Sequence, residues 1–116
     1  MSRDGRREFA GRTLVDVDAT PAVDRPVTRE VGLTLYTSAF CEPCMQTRAV
    51  LAEAVRLVPG LRVTEHDVAR DPALAELDGI RSTPTVIVLG GDGAEVFRAE
   101  GVPTLNQVLV AAARAL

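Results

Sequence analysis

A strand-like run, Leu33-Thr34-Leu35-Tyr36-Thr37, leads into Cys41-Glu42-Pro43-Cys44, and apolar residues at helical spacing begin within that tetrapeptide. The order strand, paired thiols, helix constrains the fold more than any other feature, because it places both cysteines at a helix N-terminus. Unsatisfied N–H groups and the macrodipole at that end favour a thiolate over a thiol. The same context separates a redox dithiol from two cysteines that merely fall close together. Two cysteines are too few for the disulfide framework of a small secreted scaffold. With His66 as the single histidine, a structural zinc site within one chain is short of its usual ligands. No metal and no cofactor are expected.

Residues 1–12 are charged and glycine-interrupted and read as an arm. Thr13-Leu14-Val15-Asp16-Val17 alternates enough for a short first strand, and Pro21 and Pro26 punctuate the connection that follows. The expected division is an N-terminal arm over 1–30 and a domain over 31–116. After the strand at 33–37, a helix is expected from about Pro43 to Val58, with Pro43 in a first-turn position. Cys44, Thr47, Leu51, Val55 and Val58 form its apolar face, and Gln46, Arg48, Glu53 and Arg56 face water.

Pro59-Gly60 ends that helix, and Leu61–His66 reads as a second strand. Asp71 and Pro72 suit the N-cap and first position of a short helix to about Leu77. The continuous apolar run Thr85–Leu89 predicts a strand covered on both faces. Gly90-Gly91-Asp92-Gly93 turns it back into an edge strand, Ala94–Arg98, which Gly101 breaks. Thr104 and Gln107 match a capping box for a last helix carrying Leu105, Val108, Leu109 and Ala112. The predicted fold is α/β: three layers, α/β/α, around a central mixed sheet of four to five strands.

Charge narrows the partners. A net charge of −3 gives no electrostatic footprint for nucleic acid or anionic lipid. Aromatic residues make up 3% of the chain, with no Trp, which also weighs against base-stacking platforms. Every basic side chain is arginine, which reads as codon composition rather than function. The first residues lack the apolar stretch of a signal peptide, and no run reaches the length of a membrane span. A cytoplasmic protein that is neither membrane-bound nor nucleic-acid-binding is expected.

From Val31 to Leu116 the sequence resembles the thioredoxin superfamily. Cys41-Glu42-Pro43-Cys44 is similar to that family's Cys-Gly-Pro-Cys centre, with Glu42 in place of glycine. Gly79-Ile80-Arg81-Ser82-Thr83-Pro84-Thr85 resembles the stretch that carries its cis-proline, and Gly101 falls where the family has a glycine flanking the active-site surface. There are departures. Leu35 stands where the family has a buried aspartate, Phe40 replaces the tryptophan before the first cysteine, Met45 replaces a lysine, and Ala49 replaces a helix-kinking proline. The whole looks like a divergent bacterial thioredoxin-like protein.

The resemblance implies a thiol–disulfide oxidoreductase acting on protein disulfides, recycled by an NADPH-linked thioredoxin reductase, and monomeric. Cys41 is then the nucleophile, its sulfur accepting N–H groups of the first helical turn, and the more buried Cys44 resolves the mixed disulfide. Pro43 stiffens the pair. Glu42 opposes the thiolate by like-charge repulsion, against a helix-dipole effect of roughly 0.3–1 kcal/mol, and so biases the centre toward reduction. Thr83-Pro84 becomes a cis peptide facing the cysteines, whereas the dipeptide taken alone favours an ordinary trans proline opening a strand. Thr83, Pro84, Gly101 and Phe40, an apolar wall beside the cysteines, form the expected substrate surface.

Glu65, on the strand beside the cysteine strand, is a candidate proton acceptor for Cys44 where Leu35 cannot serve. His66 reads as structural, Met45 as helix core, and Gly90, Gly91 and Gly93 as a turn rather than a phosphate loop. Three other readings stand beside the leading one. The first is a glutathione-dependent, glutaredoxin-like reductase, although such a pair would read Cys-Pro-aromatic-Cys. The second is a non-catalytic binding module, which would need neither cysteine. The third is metal capture across a dimer, which the proline over the cysteines would obstruct.

Overall fold

The computed structural model describes residues 30–116; the short strand expected at Thr13–Val17 lies outside the described residues, as does the rest of the expected arm except Glu30. Seven elements follow in the order β1 (Val31–Thr37), α1 (Glu42–Leu57), β2 (Leu61–Asp67), α2 (Pro72–Leu77), β3 (Thr85–Leu89), β4 (Glu95–Glu100) and α3 (Leu105–Ala115). The strands form one sheet in the order β2-β1-β3-β4. Strand β1 is parallel to β2 and antiparallel to β3, and β4 is antiparallel to β3. The sheet is mixed and, among the described residues, four-stranded, as the α/β reading required.

Alternation along β1 explains the layers. Val31, Leu33 and Leu35 point to one face, where Leu51 and Ala54 of α1 and Val108, Ala111 and Ala112 of α3 complete a core with Val86 and Val88. Tyr36 points to the other face and packs with Ile87 and Ala75 of α2, bordered by Val68, Leu74 and Ile80. Leu33 and Leu35 are wholly buried, each contributing on the order of 1.5–3 kcal/mol relative to an exposed leucine. Strand β3 has neighbours on both edges and helices over both faces, which is why its run is apolar without alternation.

The buried face of α1 is Cys44, Thr47, Leu51 and Ala54. Val55, expected to belong to it, is instead exposed. One residue beyond Ala54 turns the side chain about 100° away from the sheet, past the edge of the buried stripe. The hydroxyl of Thr47 is accommodated there because it donates to the Pro43 carbonyl at 2.8 Å. Asp71 does occupy the N-cap position of α2, with Pro72 in the first turn, yet its side chain makes no cap bond. Its carboxylate lies 3.2 Å from Nδ1 of His66.

Strand β4 runs to Glu100, two residues beyond the expected end, and is stopped by Gly101, whose φ of 98° lies in the left-handed region that favours glycine. The capping box of α3 is complete in both directions. The Gln107 N–H donates to Thr104 Oγ1 at 3.0 Å, and the Thr104 N–H donates to Gln107 Oε1 at 2.9 Å.

Candidate active site

The turn after β1 delivers Cys41 in an extended conformation to the N-cap of α1, where its sulfur accepts the N–H of Cys44 at 3.1 Å. A cysteine in this position takes the place of a serine or aspartate cap, satisfying one of the orphan donors of the first turn. Cys41 and Cys44 are joined as a disulfide. Their exposures differ: Cys44 is wholly buried against the sheet, whereas Cys41 is half-buried. Pro43 occupies the first turn of α1, where a missing N–H costs nothing.

Cys41 opens onto a cavity of about 720 Å³ that Phe40, Glu42, Met45 and Arg48 also line. Phe40 holds a positive φ of 55°, uncommon for any residue but glycine and strained for an aromatic one, and its ring is fully exposed. Glu42 is exposed in the first helical turn beside it. Met45, expected in the helix core, is a correction: it is exposed and borders the same cavity, because it lies about 100° around α1 from buried Cys44, off the helix's buried face.

A second loop meets this turn. Thr83-Pro84 is a cis peptide, as the resemblance implied, and Pro84 is fully buried. The Thr83 hydroxyl lies 2.6 Å from the hydroxyl of Ser38, three residues before Cys41. Thr85 Oγ1 donates to the Ser82 carbonyl at 2.7 Å, and the Gly101 N–H donates to the Pro84 carbonyl at 2.8 Å. The main-chain N–H and C=O of Thr83 have no hydrogen-bond partner among the described residues. Phe40, Cys41, Glu42 and Pro43 thus lie on one turn, and Thr83, Pro84 and Gly101 on the segments held against it.

Glu65 is not the free carboxylate that a proton acceptor would need. Its position opposite Leu35 is as expected, but Arg48 grips both its oxygens, with the closest contact at 2.6 Å, and the Thr37 hydroxyl donates to it at 3.1 Å. The Arg48 guanidinium holds this carboxyl below the usual range against the opposing effect of burial, with the Thr37 hydroxyl assisting. A carboxylate so held is a weaker base than a free one. Arg48, Thr37 and Ser38 were not singled out as site residues from sequence. Arg48 read as a water-facing helix residue, and no pattern announces that position 38 will meet position 83.

On the opposite face of the sheet, the Tyr36 hydroxyl donates to the Asp78 carboxylate at 2.5 Å. Burial first, and then that carboxylate, push the phenol well above its ordinary range. The His66 ring packs against Tyr36 with centroids 5.5 Å apart. No group of three or more His, Cys, Asp or Glu among the described residues is arranged to hold a metal ion. No helix among them is long and apolar enough to cross a membrane.

No protein-family model matches the chain, and no curated protein matches it either. Solved structures do. A mutant thioredoxin from Halobacterium salinarum superposes with a TM-score of 0.68 at 23% identity, covering 75% of each chain. Chloroplastic thioredoxin z gives 0.67 at 19%, covering 75% of this chain and 79% of its own. A thioredoxin from Fasciola hepatica gives 0.67 at 18%, over 78% and 85%. At these identities the likeness is one of architecture.

Proposed function

We propose that this chain, whose fold is thioredoxin-like, is a thiol–disulfide oxidoreductase that reduces disulfides in proteins through Cys41 and Cys44. One observation carries the reading. The sulfur of half-buried Cys41 caps the N-terminus of α1 and is already bonded to a buried partner one turn further in. In the reduced form the Cys41 thiolate attacks one sulfur of a substrate disulfide, forming a mixed disulfide and releasing the first substrate thiolate. Cys44, deprotonated in turn, attacks the Cys41 sulfur, closes the intramolecular disulfide and releases the second. Two electrons and two protons pass to the substrate.

Each neighbouring group has a place in this scheme. The N–H and C=O of Thr83, unpaired among the described residues, suit main-chain pairing with an extended substrate segment laid beside the cysteines, in the manner of strand addition. Pro84 and Gly101 shape that surface, and Phe40 offers an apolar face to the substrate. Pro43 stiffens the dithiol turn. Glu42 disfavours the thiolate, which sets the centre toward reduction. Glu65 tunes the charge beside the centre through its pairing with Arg48 rather than as the base for Cys44. The working unit is the domain over 31–116 as a monomer in the reducing cytoplasm, recycled by an NADPH-linked thioredoxin reductase.

Reduction of insulin with dithiothreitol, with glutathione, or with NADPH and a thioredoxin reductase tests the reading. Turnover with dithiothreitol and with the reductase is expected. Activity driven by glutathione alone favours the glutaredoxin-like alternative, and activity with none favours a non-catalytic binding module.

A further inference from the structure

We infer that Ser38 is a positioning residue whose hydroxyl, paired with that of Thr83, holds the Thr83 main chain where a substrate segment docks; this rests on the oxidoreductase reading. The two hydroxyls lie 2.6 Å apart across 45 positions of sequence and are partly buried. They form a direct link between the turn that carries Cys41 and the loop that carries Pro84. Other parts of that loop are fastened elsewhere: Ser82 by the Thr85 hydroxyl, Pro84 by the Gly101 N–H, and Asp78, at the end of α2, by the Tyr36 phenol.

Between the anchored carbonyls of Ser82 and Pro84, Thr83 keeps an unpaired N–H and C=O among the described residues, and its side chain is bonded to Ser38. Ser38 also lines the cavity onto which Cys41 opens. The bond therefore fixes the spacing between the attacking sulfur and the main-chain groups that receive substrate. A substrate with an extended backbone senses that spacing, whereas a small disulfide that reaches only the sulfur does not.

Full-length Ser38→Ala, Thr83→Val, the double variant and Ser38→Thr are assayed on insulin and on dithiobis(nitrobenzoate). Both single variants are expected to raise KM for insulin about three- to tenfold, the range one lost hydrogen bond carries. The double variant should add little to either, because both remove the same bond. Ser38→Thr, which keeps the hydroxyl, should restore KM, and Ser38→Ala should leave the rate on the small disulfide within about twofold of wild type. An unaltered KM for insulin in the single variants, or equal losses on both substrates, overturns the positioning role alone. A wild-type chain that reduces neither substrate overturns the oxidoreductase reading, and the positioning role falls with it.

Discussion

Cys41 and Cys44 are separated by two residues and by a large difference in environment, one half-exposed and the other wholly buried. That asymmetry predicts distinct phenotypes. Cys44→Ser should leave Cys41 able to attack but unable to release, so that an adduct with substrate accumulates. Cys41→Ser should abolish both attack and adduct. Glu42 is exposed beside Cys41, so the influence proposed for it on the thiolate is a modest one. Glu42→Gly should lower the Cys41 pKa, followed by thiolate absorbance during titration; an unchanged or higher value refutes the tuning role. Tyr36→Phe removes the bond to Asp78 and leaves a carboxylate with one partner fewer. A loss of about 1–3 kcal/mol in urea unfolding is expected. The phenol is raised in the folded state, so its contribution is complete below the unfolded pKa near 10 and fades as pH rises beyond it. Tyr36→Phe should lack that alkaline loss.

Elements were legible wherever local chemistry and tertiary burial agree. The capping box of α3 is written in Thr104 and Gln107, and both of its bonds form. Thr104→Ala should cost about 1 kcal/mol, seen as a lower urea midpoint with an unaltered slope. Likewise the doubly covered β3 announced itself by its unbroken apolar run. Legibility failed where a side chain's fate depends on a partner distant in sequence. Val55 continues the helical period of α1, but the sheet takes Ala54 as the buried position and leaves Val55 to one side. Asp71 has the identity of a cap, and His66 competes for its carboxylate. Met45 is apolar yet lies beside, not on, the buried face that begins with Cys44. The site divides in the same way. The cysteine turn and the cis-proline loop could be picked out from short motifs and a family resemblance, whereas the Ser38–Thr83 and Arg48–Glu65 contacts arise only once the sheet aligns the loops.

For the molecule as a whole, the paired carboxylates set the response to acid. Glu53, Glu65, Glu95 and Glu100 each have an arginine partner that holds the carboxyl below the ordinary glutamate value of 4.5. A depressed folded pKa contributes stability that is present above the unfolded value and lost as pH falls through the folded one. Stability should therefore decline below about pH 4.5, and urea midpoints measured from pH 7 down to pH 3 check it. Because Glu65 is also held by a second donor, the Thr37 hydroxyl, Glu65→Gln is the substitution expected to flatten that decline most. In the proposed reading, the capped sulfur and the Thr83 main chain, unpaired among the described residues, serve one chemical event, attack by Cys41 on a protein disulfide. Mass analysis of the full-length Cys44→Ser protein after incubation with oxidised insulin tests it most directly. An insulin chain bound through a disulfide to Cys41 is the predicted product, and an unmodified Cys41 with insulin left intact would contradict the account.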